Sequence, residues 1–158
     1  MKKIKYLIII FVMILTLTGC AEKNIEGSLS EVMDKMYANI SEENKPMSLI
    51  NMEINDENIE GFIGIKNVKY KEALASEPEI GSIAHSVVLL RLESSKDAKK
   101  VKEDILENVN PRKWLCVGVE KEDVVVDNIG DLVVLIMIEN ETTRNLVIDN
   151  FNNLKKGN

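Results

Sequence analysis

Side chains able to do chemistry are few in this chain of 158 residues. One histidine occurs, His85, and two cysteines, Cys20 and Cys116. Glu77 and Glu79 flank Pro78, and the stretch from Ser76 to Ser86 also holds Gly81, Ser82 and His85. Paired carboxylates can serve glycoside hydrolysis, and a Ser–His–acid set can serve acyl transfer. Ser82 and Ser86 lie too close to His85 in sequence to judge such a set, and no Gly-x-Ser-x-Gly elbow occurs. Two acids in one loop are ordinarily solvated, and a strand-end histidine is ordinarily neutral and satisfied. No catalytic set is therefore assigned. Loops on rigid sheets do carry function, which makes 76–86 the candidate binding loop, with Glu77, Pro78 and His85 as its residues.

Metal and phosphate chemistry finds little to work with. One His and one free Cys cannot complete a zinc ligand set without carboxylates. Asp127-Asn128-Ile129-Gly130-Asp131 lacks the spacing of a calcium loop and reads as a hairpin turn, in which Asn and Gly tolerate positive φ. No glycine loop suited to phosphate is present. No metal and no cofactor are expected.

The two cysteines read differently. Lys2, Lys3 and Lys5 form a basic start, Tyr6 to Thr16 is almost wholly apolar, and Leu17-Thr18-Gly19-Cys20 follows. This is the layout of a secretory signal, too short to span a bilayer, which needs about 20 apolar residues. Leu-Thr-Gly-Cys resembles the bacterial lipobox, in which the cysteine sulfur takes a diacylglyceryl group before cleavage in front of it. Residues 1–19 are thus expected as signal peptide and Cys20 as the lipid attachment, with 20–27 a short tether. The partner expected first is membrane lipid, through diacylglyceryl-Cys20, at the extracytoplasmic face of the cell membrane. Cys116 lies in the apolar run Trp114-Leu115-Cys116-Val117 and reads as a buried, inert thiol.

Removal of residues 1–19 leaves 139 residues, enough for one domain with a core. Three lysines and no acid are lost, so 17 basic face 26 acidic residues, a net charge of −9. That charge disfavours nucleic acid and anionic membrane surfaces, so lipid and not charge must hold the protein at the bilayer. Tyr37, Phe62, Tyr70, Trp114 and Phe151 are the aromatic residues that remain, too few to spare many for a stacking surface.

The elements that must position these groups follow from periodicity. Ser28 and Glu31 make a capping box for a helix over 28–40, whose stripe is Leu29, Val32, Met33, Met36, Tyr37 and Ile40. Residues 56–64 suggest one or two helical turns capped by Asp56 and stopped by Gly64. Strands are expected over 68–76 and 86–93, the first with Val68, Tyr70 and Leu74 on one side. A helix from 95 to 109 buries Ala98, Val101, Ile105, Leu106 and Val109, and Asn110-Pro111 begins a short helix through Trp114. Strands over 124–129 and 132–138 come next, the latter apolar without alternation and so covered on both faces. A last helix, 141–155, turns Leu146, Val147, Phe151 and Leu154 inward.

Four stretches carry a resemblance. They are Lys71-Glu72-Ala73-Leu74-Ala75-Ser76-Glu77-Pro78, Ala84-His85-Ser86-Val87-Val88-Leu89-Leu90-Arg91, Pro111-Arg112-Lys113-Trp114 and Asp127-Asn128-Ile129-Gly130-Asp131-Leu132-Val133. Through them most of the mature chain resembles a family of small bacterial lipoproteins, the domain of unknown function 4358. The resemblance implies an extracytoplasmic lipoprotein and brings no activity, cofactor or catalytic residue with it.

The expectation is one α+β domain over 28–158: an antiparallel sheet of about four strands packed by three main helices. Its expected function is a non-enzymatic binding or interaction module, with another envelope protein as a further partner. The alternatives are a cell-envelope hydrolase and a structural component of an envelope or sporulation complex. The last gains weight if helices cover one sheet face alone, since the other face then needs a partner.

Overall fold

A computed structural model describes residues 24–157; the signal segment with Leu17, Thr18, Gly19 and Cys20 lies outside the described residues. Ser28 caps the first helix, α1 (Leu29–Met36), and the expected capping box forms. The helix stops short of residue 40. Asn39 turns left-handed at φ 59°, and the Asn150 side-chain amide donates to the carbonyls of Met36 and Ala38, which satisfies the orphan acceptors of the helix end.

The remaining elements are β1 (Leu49–Glu53), α2 (Ile59–Ile63), β2 (Tyr70–Pro78), β3 (His85–Leu92), α3 (Ala98–Asn108), β4 (Val125–Ile129), β5 (Leu132–Ile138) and α4 (Glu141–Gly157). All strand pairings are antiparallel, in the order β1-β2-β3-β5-β4. The chain is thus a single α+β domain with a five-stranded sheet. The strand beyond the expected four is β1. It is a short edge strand whose residues are exposed or half-buried, so no long apolar run marks it.

Both sheet faces are covered. On one, Val88, Leu90, Leu92, Val133, Leu135 and Met137 pack with Ile59 and Ile63 of α2 and Ala98, Val101 and Ile105 of α3. On the other, Val87, Leu89, Leu132, Val134, Ile136 and Ile138 pack with Val32, Met33 and Met36 of α1 and Val147 and Phe151 of α4. Every residue of β3 and β5 is buried, so the unbroken apolar run of 132–138 divides between two cores by its period of two. With both faces occupied, the sheet leaves no bare face that needs a partner.

Several local expectations are corrected. A register shift between Tyr70 and Glu72 changes the parity of β2: Val68 and Tyr70 share a core with Ala73 and Ala75, and Leu74 joins the opposite one. Leu106 and Leu146 are 41% and 36% exposed, because each sits at the margin of its helix's apolar stripe. The short helix at 111–114 does not form. The Asn110 side-chain oxygen instead accepts from the Arg112 N–H, and the Val119 N–H closes a loop onto the Pro111 carbonyl. Asp56 accepts from the Tyr70 hydroxyl, and Asn58 holds the cap position of α2. Gly64 stops α2 as expected, left-handed at φ 77°. Residues 24–27, expected as tether, belong to the domain: Ile25 is buried in the core against α1 and α4.

Candidate functional site

The β2–β3 hairpin brings Glu77, Pro78 and His85 to one end of the sheet, and the pleat then separates them. His85 and Ser86 are neighbours in β3 and so face opposite ways. Glu77 follows the parity of Ala75, and Ser76 that of Leu74.

On the α1–α4 face, the Tyr37 hydroxyl meets His85 Nε2 at 2.6 Å, with the two rings stacked at 5.9 Å between centroids. Both groups are buried. Desolvation lowers the imidazole from 6.5 to about 4 and pushes the phenol well above its ordinary value. A hydrogen bond from Ser76 opposes the phenol shift, as a donor to the phenol oxygen does. Tyr37 and Ser76 also line a cleft of about 530 Å³ together with Asp34, Lys45, Met47 and Asn51.

On the α2–α3 face, the Ser86 hydroxyl donates to Glu77 Oε1 at 2.6 Å. Lys113 Nζ donates to the same oxygen at 2.5 Å and lies 3.4 Å from Ser86 Oγ. The ammonium sits over the rings of Phe62 and Trp114, 5.0 and 5.3 Å from their centroids. An ammonium paired with a carboxylate has no lone pair with which to take the Ser86 proton, and Ser86 is fully buried. This cluster pins the loop after α3 to the end of the hairpin. The sheet therefore lies between Glu77 and His85, and the two do not share a pocket.

Pro78 closes β2 opposite Leu49, and Glu79 is exposed, its N–H donating to the Ser48 carbonyl. Leu115 donates its N–H to the Gly81 carbonyl, so three loops meet at this end. They present Met47, Ile80 and Leu115, which are 72%, 44% and 71% exposed. Cys116, expected to be buried, is exposed. Trp114 and Val117 turn onto the core, and a left-handed residue at Cys116, φ 62°, swings Leu115 and the thiol outward.

Lys113 and Tyr37 were not expected in the site. Tyr37 read as one position of a helical stripe, and Lys113 entered only within the Pro111-Arg112-Lys113-Trp114 stretch of the resemblance. The Arg112-Lys113-Trp114 run, a cation beside an aromatic, was the one local signal. Among the described residues no three His, Cys, Asp or Glu side chains gather to hold a metal ion. No helix among them is long and apolar enough to cross a membrane. No protein-family model matches the chain, and no match is found among the curated proteins or the solved structures.

Proposed function

We propose that this chain is a lipid-anchored, extracytoplasmic binding module. In this reading diacylglyceryl-Cys20 holds it to the cell membrane, and the hairpin end of the domain meets another envelope protein. The same proposal groups it with the small lipoproteins of the domain of unknown function 4358. The observation that carries the binding role is the cluster of Met47, Ile80 and Leu115, large apolar side chains held in water on three abutting loops. The anchor is supported by the basic start, the apolar run and Leu17-Thr18-Gly19-Cys20 in their proper order. A hydrolase built on Glu77 with His85 is disfavoured, because the sheet separates them and each is already satisfied by its own partners.

Crosslinking and affinity capture from native membranes, with lipidation intact, test the proposal. A reproducible partner captured by the wild type and lost with Met47→Asp plus Leu115→Asp is the expected result. Capture that is unchanged by these substitutions, or no partner at all, would overturn the binding role.

A further inference from the structure

The four residues ahead of the Ser28 cap, 24–27, are bound to the sheet more closely than a tether needs. Arg91, near the end of β3 and 9% exposed, spends its guanidinium on them. Nη1 donates to the Ile25 carbonyl at 2.7 Å and Nη2 to the Gly27 carbonyl at 2.8 Å. Nε is held by Glu72 at 2.6 Å, which fixes the plane of the fork. Across the β4–β5 turn, the Asp131 N–H donates to the Asn24 side-chain oxygen at 3.0 Å. The Asp131 carboxylate is held by Lys71 at 3.1 Å and lies 3.9 Å from Arg91 Nη1. Between these clamps the Ile25 side chain is buried, 7% exposed. The Arg91 side chain of β3 and the Asp131 N–H of the β4–β5 turn thus hold one short segment, and Glu72 and Lys71 of β2 brace these two holders.

We propose that residues 24–27 are a rigid mount, locked by Arg91, which sets the domain on a phospholipid bilayer with its β4–β5 turn inward and its Met47–Ile80–Leu115 end outward. The inference rests on lipid attachment at Cys20. Only Ala21, Glu22 and Lys23 separate Cys20 from the first clamped residue, so the free reach is at most about 14 Å. The sheet is longer than that: the span of β3 from Leu92 to His85 is about 23 Å. If the mount were free, the chain would be loose up to Ser28, and its reach would double to about 28 Å, enough to bring either end to the lipid. The clamp therefore decides whether the domain is oriented or tumbles. The mount lies at the end of the sheet where Leu132 pairs with Arg91, and the outward end lies where Ile138 pairs with His85. α4 runs back to the mount, with Asn153 and Leu154 lining a groove beside Asn24 and Ile25.

The natural thiol offers the test. In the lipidated protein Cys116 is the one cysteine left free, and it is exposed at the outward end. A fluorophore on Cys116 is compared with one on Asn153→Cys in a Cys116→Ser background, both in the full-length lipoprotein in phosphatidylcholine vesicles carrying a headgroup quencher. Quenching several-fold stronger at position 153 than at 116 is expected. Inserting eight Gly/Ser residues between Lys23 and Asn24, which leaves every clamp in place, is expected to raise quenching at 116 towards that at 153. Arg91→Met is expected to do the same while circular dichroism stays native. Equal quenching at the two positions in protein whose mass shows diacylglyceryl on Cys20 overturns the mount alone. Absence of the lipid mass overturns both the mount and the anchored reading.

Discussion

At the scale of single residues, burial and partners set what each side chain can do. His85 is held neutral by desolvation, at about 4 against an ordinary 6.5. Between those values the unfolded chain takes up a proton that the folded chain refuses. Stability is therefore full above about pH 6.5 and falls as the pH drops, by on the order of 3 kcal/mol once the pH is below 4. Urea denaturation across this range should show the loss in the wild type and a clearly flatter profile in His85→Gln. Tyr37→Phe leaves His85 Nε2 buried without its hydrogen-bond partner and should cost about 1–2 kcal/mol at neutral pH by the same measurement. Glu77 and Lys113 are each about 15% exposed. Glu77→Gln or Lys113→Met strands one half-buried charge and should cost about 2 kcal/mol, with the double variant less harmful than the sum of the two. A double-mutant cycle that shows no coupling would contradict the close pair.

Among the elements, local signals told most where the chain obeyed one period and one cap. The Ser28–Glu31 box, the Gly64 stop and the buried run of β5 were legible because each depends on residues within a turn or on simple alternation. The parity of β2 was not legible, since a one-residue irregularity at Tyr70–Glu72 reverses every later side chain without altering the composition. β1 was hidden because an edge strand half in water carries a weak pattern. The end of α1 was set by Asn150, more than a hundred residues away in sequence. Gly64 supplies the element-scale prediction. A Cβ there would stand 2.4 Å from the Asn108 carbonyl oxygen at the end of α3, on a backbone already at φ 77°. Gly64→Ala should therefore lower stability by more than the roughly 1 kcal/mol of left-handed strain alone, read from the shift in thermal midpoint.

For the whole molecule, address and chemistry separate cleanly. The anchored reading predicts that Cys20→Ala either leaves the membrane fraction or persists as an uncleaved precursor, resolved by fractionation and blotting. Normal processing with continued membrane attachment would contradict it. The proposed signal was read without a fold because a secretory signal is a property of a linear string of residues. The α+β class was legible for a related reason: hydrophobic period is a property of consecutive residues. The candidate loop was a different matter. Glu77, Pro78 and His85 are close in sequence, yet the pleat of an antiparallel sheet assigns Glu77 and His85 to different cores. Their true partners, Lys113 and Tyr37, come from distant segments. The same holds for Cys116, apolar in context and exposed in fact, and for Ile25, placed in a tether and buried in fact. Short-range chemistry was enough to find most of the elements, though not β1, and to suggest the proposed anchor. Which side chains meet, which face water and where the tether ends were set by packing, because long-range contacts depend on the path of the chain and not on the identity of any one residue.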